Sequence, residues 1–363
     1  MDENSNWDLR QSNLTIVQIV AAIGVIFSHS YRIGVGGKEP LSAFAFGKCT
    51  CGTIAVAVFL LISGFAVSQS YSSVRGSIKT VAAGLYNFVI RRFLRIFPVV
   101  AFAIVVCAFC LGPFVSSLSH ADYFAHPLIW RYMRGIWLHS FHAALPGVFA
   151  HNELKASVNG SLWVIPWQMW CYWLVALFGV LGLHRNRRLV LVFCSLAWAL
   201  FYGRFVLLKG MSWPGGISVM QGSRLVAFFL TGWAAALYKD KIVLDGKLAA
   251  GLALSMPIWI WTQASDLALA FAGFYILLYL IFRHPVGWLQ KLPPISFGIF
   301  VFGFPVQQTF AHFWGGKMPC WSNFLLSVAV VIPIALLEYW IIERPMKWLV
   351  GKLSVKVKTH EQN

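Results

Sequence analysis

Apolar runs of about the length that crosses a bilayer as helix, ~20 residues, recur from Leu14 almost to the end of the chain. No other feature restricts the fold as much. A backbone inside hydrocarbon has to satisfy its own hydrogen bonds, which leaves helices or a closed barrel, and these runs lack the polar–apolar alternation of barrel strands. With 59% hydrophobic and 11% charged residues among 363, the chain is far more apolar than soluble domains, which are roughly half apolar and a quarter charged. The expected fold is all-α, a polytopic membrane bundle of about ten transmembrane helices. The predicted crossings are 14–34, 53–71, 94–116, 160–183, 188–208, 221–238, 247–263, 267–283, 295–314 and 322–342. The first run lacks a convincing small-residue cleavage site, so it is expected to stay as the first helix.

Charge then orients the bundle. Nineteen of the 29 basic residues fall on one side of this arrangement: Arg10, the group from Arg75 to Arg95, Arg185 to Arg188, Lys239 to Lys247, Arg283 with Lys291, and Arg344 to Lys358. The excess of basic residues in cytoplasmic segments places both termini in the cytoplasm. A net charge of +17 raises nucleic acid as a partner, but basic residues beside membrane helices report orientation and contact with membrane lipids; no nucleic acid is expected. Residues 117–159 form one long outer loop with the tryptophan-rich "PLIWRYMRGIWLHSFHAALPG", expected at the outer interface or re-entering the membrane. No repeat or linker divides the chain, so residues 1–363 read as one integral-membrane domain, with "KLSVKVKTHEQN" as a solvated cytoplasmic end. Of seven cysteines, Cys107, Cys110, Cys171 and Cys194 sit in predicted helices as small apolar residues. Cys49, Cys51 and Cys320 are placed in outer loops, where a disulfide is conceivable. The loop histidines His120, His126, His139, His142 and His151 fit no closed metal site, and no metal is expected.

Within this frame a few polar residues stand out. His29 lies inside the first run, "VQIVAAIGVIFSHSYRIG", where an ionisable group is by default a functional candidate. A neutral imidazole there suits a general base that takes a hydroxyl proton; a structural histidine bonded to a neighbouring helix is the competing reading. Ser63 and Gly64 interrupt the second helix, with close helix packing as their plain explanation. In "FVIRRFLRIFPVV", Arg91 reads as a lipid anchor, whereas Arg92 and Arg95, three apart, share a helix face and can grip a phosphate with forked donors. The sequon Asn159-Gly160-Ser161 stands beside a helix start and is taken as coincidence. Glu343-Arg344-Pro345 is expected to end the last helix, since proline cannot continue it, with Glu343 pairing to a cytoplasmic arginine. Tryptophans in 128–137 and 163–173 serve as interface anchors or as sugar-stacking faces.

Taken in order, these segments resemble the acyltransferase-3 family of bacterial inner-membrane carbohydrate O-acyltransferases. The carriers are His29, Ser63-Gly64-Phe65, Arg92 and Arg95 ahead of Phe97-Pro98, Ser161-Leu162-Trp163, Ser296-Phe297-Gly298-Ile299 and the closing Glu-Arg-Pro. The resemblance implies a multi-pass protein of the bacterial inner membrane that moves an acyl group, most simply acetyl, from acyl-CoA to a hydroxyl of a glycan or lipid-linked glycan. Cell-surface products such as exopolysaccharide or lipopolysaccharide are the implied class. Acetyl-CoA is then a co-substrate, and no permanently bound cofactor is expected. The implied roles are His29 as catalytic base, Arg92 and Arg95 in donor binding, and Ser63, Trp163, Gln168 and Glu343 in substrate or structural support. The chain departs from the pattern at Gln18, Gln168 and Gly303, where the family usually carries arginine, glutamate and histidine. These neutral positions leave two alternatives standing, a lipid-linked sugar transporter or flippase and a catalytically inactive relative.

Overall fold

The computed structural model describes residues 7–70, 78–203, 212–213 and 217–355. Among them lie ten long helical elements, one for each predicted crossing: α1 (Leu14–Ile33), α2 (Cys51–Ser70), α3 (Ile78–Val106), α4 (Val164–Val180), α5 (Arg187–Tyr202), α6 (Val219–Leu237), α7 (Gly246–Ile260), α8 (Ser265–Phe282), α9 (Ser296–Phe313) and α10 (Cys320–Leu353). Six spans are long and apolar enough to cross a membrane, those of α1, α2, α3, α4, α8 and α10. The other elements include two interior ones: α6 and α9 are buried along most of their length. A helix surrounded by protein does not need lipid-facing apolar residues all round, and it can carry glycine, glutamine and arginine instead. Outside the helices, Ser212–Trp213 pairs antiparallel with Ile217–Ser218.

Helix α6 lies along α2, with α5 on its other side; α1 sits against α2, α9 and α10, α9 packs on α10, and α4 touches α3 and α6. The α2–α6 contact is backbone to backbone. A Cβ at Gly64 would run into the Phe229 carbonyl, and one at Gly232 into the Leu61 carbonyl. Without a hydrophobic drive between helices in lipid, such close approach through small residues is a main source of association. The start of α1 is tied to the end of α8, because Asn13 Nδ2 donates to the Leu280 and His284 carbonyls and its Oδ1 accepts from Val286 N–H, all at 2.9 Å. Val355, after α10, exchanges two 2.8 Å bonds with Asn87 of α3. Both described ends therefore lie at the end of the bundle that carries Arg91, Arg92 and Arg95, called the basic end below.

Several expectations are corrected. Ser63 and Gly64 do not interrupt α2, which is continuous. Helix α3 begins near Ile78 rather than at 94 and, through a π turn at Cys107–Leu111, runs on to Val115. Its 36-residue Thr80–Val115 span is about 54 Å long at ~1.5 Å per residue, well beyond the ~30 Å hydrocarbon core. Arginine favours helix, so the basic cluster lies within α3 and does not mark its start. Pro345 does not end α10. A π turn at Tyr339–Glu343 precedes it, and Pro345 falls in the first turn of the segment Arg344–Leu353, where a missing N–H costs little. Cys51 and Cys320 open helices rather than lying in loops, and all seven cysteines are free thiols. Asn159 is buried and donates to the Val301 carbonyl at 2.8 Å, so its amide is a structural group. Arg75, Lys356, Lys358 and the end of the predicted 188–208 crossing lie outside the described residues.

The long segment after α3 folds onto the bundle with short helices at His120–Ala125 and Pro127–Met133. It is pinned to α9 from both sides: Asn152 Nδ2 donates to the Gln308 carbonyl and Oε1, while Gln308 Nε2 donates to the Leu154 and Ser157 carbonyls.

The glycine contact gives the first prediction. Gly64→Ala overpacks the α2–α6 crossing and should cost on the order of 1–3 kcal/mol, read as a lower thermal midpoint in detergent. Gly251, with nothing within 4 Å of where a Cβ would stand, is the control; Gly251→Ala should leave the midpoint unchanged or raise it slightly.

Candidate active site

Two chambers open inside the bundle. The one at the basic end encloses about 830 Å³, part of it open to solvent, and is lined by Gln18 of α1, Ser63 of α2, Arg92 and Arg95 of α3, Gln168 and Tyr172 of α4, and Ser296 of α9. Five helices thus bring polar side chains to one space. Ser63 Oγ and Tyr172 Oη are 2.9 Å apart, and Gln168 Nε2 donates to Tyr172 Oη at 2.8 Å and to Ser63 Oγ at 3.4 Å. The half-buried Arg92 holds its guanidinium 5.4 Å from the centre of the Tyr172 ring and 5.9 Å from that of Phe88. Arg95 is exposed at the mouth and also lines the adjoining groove with Arg91, Glu343 and Lys347. Two guanidinium groups therefore stand at successive depths along one wall.

The chamber at the opposite end encloses about 1380 Å³, again partly open, and is lined by Ser28, His29, Arg32 and Glu39, by Ser161 and Trp163 at the head of α4, and by Gln221 and Arg224 of α6. His29 packs edge-to-face on Phe304, with ring centres 5.1 Å apart. Its Nδ1 is buried and has no partner, as is the Ser161 Oγ. The turn that carries His29 is fixed by the buried Glu39: Ser28 Oγ donates to Glu39 Oε2 at 2.7 Å, and Cys51 N–H, at the start of α2, donates to Oε1 at 2.5 Å. A carboxylate at a helix N-terminus is in a favourable field, so both of its oxygens are satisfied and α1 is locked to α2. Arg224 donates twice to Asp266 Oδ1 and lies 5.5 Å from the Phe228 ring centre.

The two chambers share part of their lining. Val56 of α2, Val164 of α4 and Phe300 of α9 belong to both. The structure thus gathers Ser63, Gln168, Arg92 and Arg95 in one chamber and His29 and Trp163 in the next. Glu343 stands outside both. It lines the basic-end groove and accepts from Lys347 Nζ at 3.1 Å, one turn on, where an arginine was expected.

Tyr172, Glu39, Arg224 and Asp266 were missed by sequence reasoning. Arg224 carried a usable signal, since it falls inside a predicted crossing, as His29 does. Glu39 and Asp266 are acids among only 12 in the chain, and scarcity is a weaker signal. Nothing in the sequence marks Tyr172 from the other aromatics. Gly303 lines neither chamber; a Cβ there would come within 2.9 Å of Ile26 Cγ1. Gly298 has its own reason: Glu338 of α10, buried with both carboxyl oxygens unpartnered, packs where a Gly298 side chain would go.

Residues 11–342 match the family described as an acyltransferase domain. Similar curated proteins include the O-acetyl transferase of Shigella phage Sf6, 26% identical over 343 residues that cover 90% of this chain and 93% of that protein. Nodulation protein 10 of Rhizobium leguminosarum bv. viciae is 24% identical over 362 residues, covering 92% of this chain and 93% of the relative. No solved structure matches the chain. With the match spanning α1 through α10 and both chambers, this membrane-helix chain belongs to the acyltransferase-3 family.

Proposed function

We propose that the protein is an inner-membrane O-acyltransferase that carries an acyl group, most simply acetyl, from acyl-CoA at the basic end to a glycan hydroxyl at the opposite end. In this reading all ten helices cross the bilayer, with the basic end and both termini in the cytoplasm, an arrangement that the distribution of lysine and arginine supports. The observation that supports this reading is the shared lining of the two chambers, which makes Val56, Val164 and Phe300 common to the chamber of the Arg92–Arg95 pair and that of His29.

Phosphates of the coenzyme rest against Arg95 and Arg92, whose guanidinium groups suit bidentate contacts. The slender pantetheine arm passes the Ser63–Gln168–Tyr172 cluster and brings the thioester towards the shared wall. In the second chamber the acceptor hydroxyl gives its proton to the His29 imidazole as its oxygen bonds to the thioester carbonyl carbon. Collapse of that adduct breaks the carbon–sulfur bond; the thiolate leaves and takes up the proton from His29. The unpartnered His29 Nδ1 and Ser161 Oγ support binding of a hydroxyl-rich compound, because a buried polar atom without a partner costs free energy that a ligand can recover. Trp163, lining the same chamber, offers an apolar face to a sugar ring. A glycan, free or lipid-linked, fits this combination.

The test is consumption of acetyl-CoA by the purified chain in nanodiscs, with O-deacylated bacterial surface polysaccharide as acceptor. His29→Ala should abolish transfer, by a factor of at least ~100 for a lost general base, while acyl-CoA still binds and the protein stays monodisperse; retained turnover would remove His29 from the role. The Arg92→Ala/Arg95→Ala double variant should weaken acyl-CoA binding by roughly 2–4 kcal/mol, as for loss of charge-assisted contacts. Unchanged donor affinity in the inserted variant would contradict the assignment.

A further inference from the structure

We infer that Val56, Val164 and Phe300 form an acyl-length ruler: the wall between the chambers admits a short acyl group and excludes longer ones. The inference rests on the transfer reading above and adds what it leaves open, the class of acyl group.

Three different helices supply the wall. Val56 comes from the second turn of α2, Val164 is the first residue of α4, and Phe300 lies in the second turn of α9. They are the lining residues common to both chambers, so a thioester that starts at the arginine pair meets them before it meets His29. Their side chains are apolar, and Phe300 and Val164 are 7% and 4% exposed. Phe59, on the basic-end side, meets the Phe300 ring edge-to-face with centres 5.9 Å apart. On the other side the lining of the His29 chamber includes the apolar Leu225.

Packed apolar side chains from three helices give little at this wall, because protein interiors are close-packed. With the thioester carbonyl held at the wall and the acceptor hydroxyl approaching from the His29 chamber, the acyl tail lies against Val56, Val164 and Phe300, and acetyl adds only one methyl there. Each further methylene has to displace a packed valine or phenylalanine, and crowding a filled core is costly. Discrimination per methylene in an apolar pocket is about 10–200-fold.

The experiment compares acetyl-, butyryl- and hexanoyl-CoA as donors for the full chain in nanodiscs, following thiol release with O-deacylated lipopolysaccharide as acceptor probe. The wild type should strongly prefer acetyl. Phe300→Ala, and Val56→Ala as the milder change that keeps the fold, should raise the butyryl-to-acetyl ratio by about 10-fold or more. Val164→Phe, which narrows the wall, should lose transfer and still bind acetyl-CoA. A wild type that uses hexanoyl as well as acetyl, or an unchanged ratio in folded Phe300→Ala and Val56→Ala protein, overturns the ruler and leaves acyl transfer standing. Failure of the wild type to consume acetyl-CoA overturns the transfer reading and the ruler together.

Discussion

Everything in this bundle follows from the penalty for exposing a polar group to hydrocarbon. Ionisable and amide side chains on membrane helices have to turn inward, and here they turn towards one another. Gln18, Ser63, Arg92, Gln168 and Tyr172 converge from four helices on the basic-end chamber. His29, Glu39 and Arg224 converge on the other. Such convergence is expensive to build, and in a membrane protein it makes these chambers the candidate place for handling a polar substrate.

What makes room for the chambers is tight packing elsewhere. The backbones of α2 and α6 touch through Gly64 and Gly232, so these two helices form a rigid central pair, and side chains at other heights can stand apart without loosening the fold. Glu39 repeats the principle at the far end. By accepting from Ser28 Oγ and Cys51 N–H, it fixes the last turns of α1 against the first turn of α2, and with them the imidazole of His29. On the opposite side, the pairing of Gln308 with Asn152 and with the Leu154 and Ser157 carbonyls holds the long segment against α9. The irregular chain between α3 and α4 is thereby part of the bundle rather than a loose appendage.

Hydropathy made the helices legible because each crossing has to be apolar for about the same length. It located the ten long helical elements, six of them long and apolar enough to cross a membrane, but misjudged ends where helix runs on past the apolar run. The arginines of α3 resembled a boundary because charge ends an apolar run, yet they do not end a helix. Pro345 resembled a stop, and the π turn before it supplied a fresh first turn. For the site, His29, Arg92 and Arg95 were legible as charged or titratable groups near or within apolar runs. Their assignment to two chambers with a common wall was not, since Val56, Val164 and Phe300 differ in no visible way from dozens of other apolar residues. Only the packing of α2, α4 and α9 gives them a place. The resemblance implies an arginine at 18 and a glutamate at 168; here both are glutamine, and both line the same chamber. One positive and one negative group are absent together, so the chamber keeps the formal charge that the family pattern would give it.

The central claim is transfer across the bilayer between two chambers with a common wall, and sidedness tests it most directly. Sealed proteoliposomes with the basic end outward would receive labelled acetyl-CoA outside only, with the polysaccharide acceptor enclosed. The account predicts labelled glycan in the lumen and free coenzyme outside. Label on glycan only when donor and acceptor share a side would contradict it.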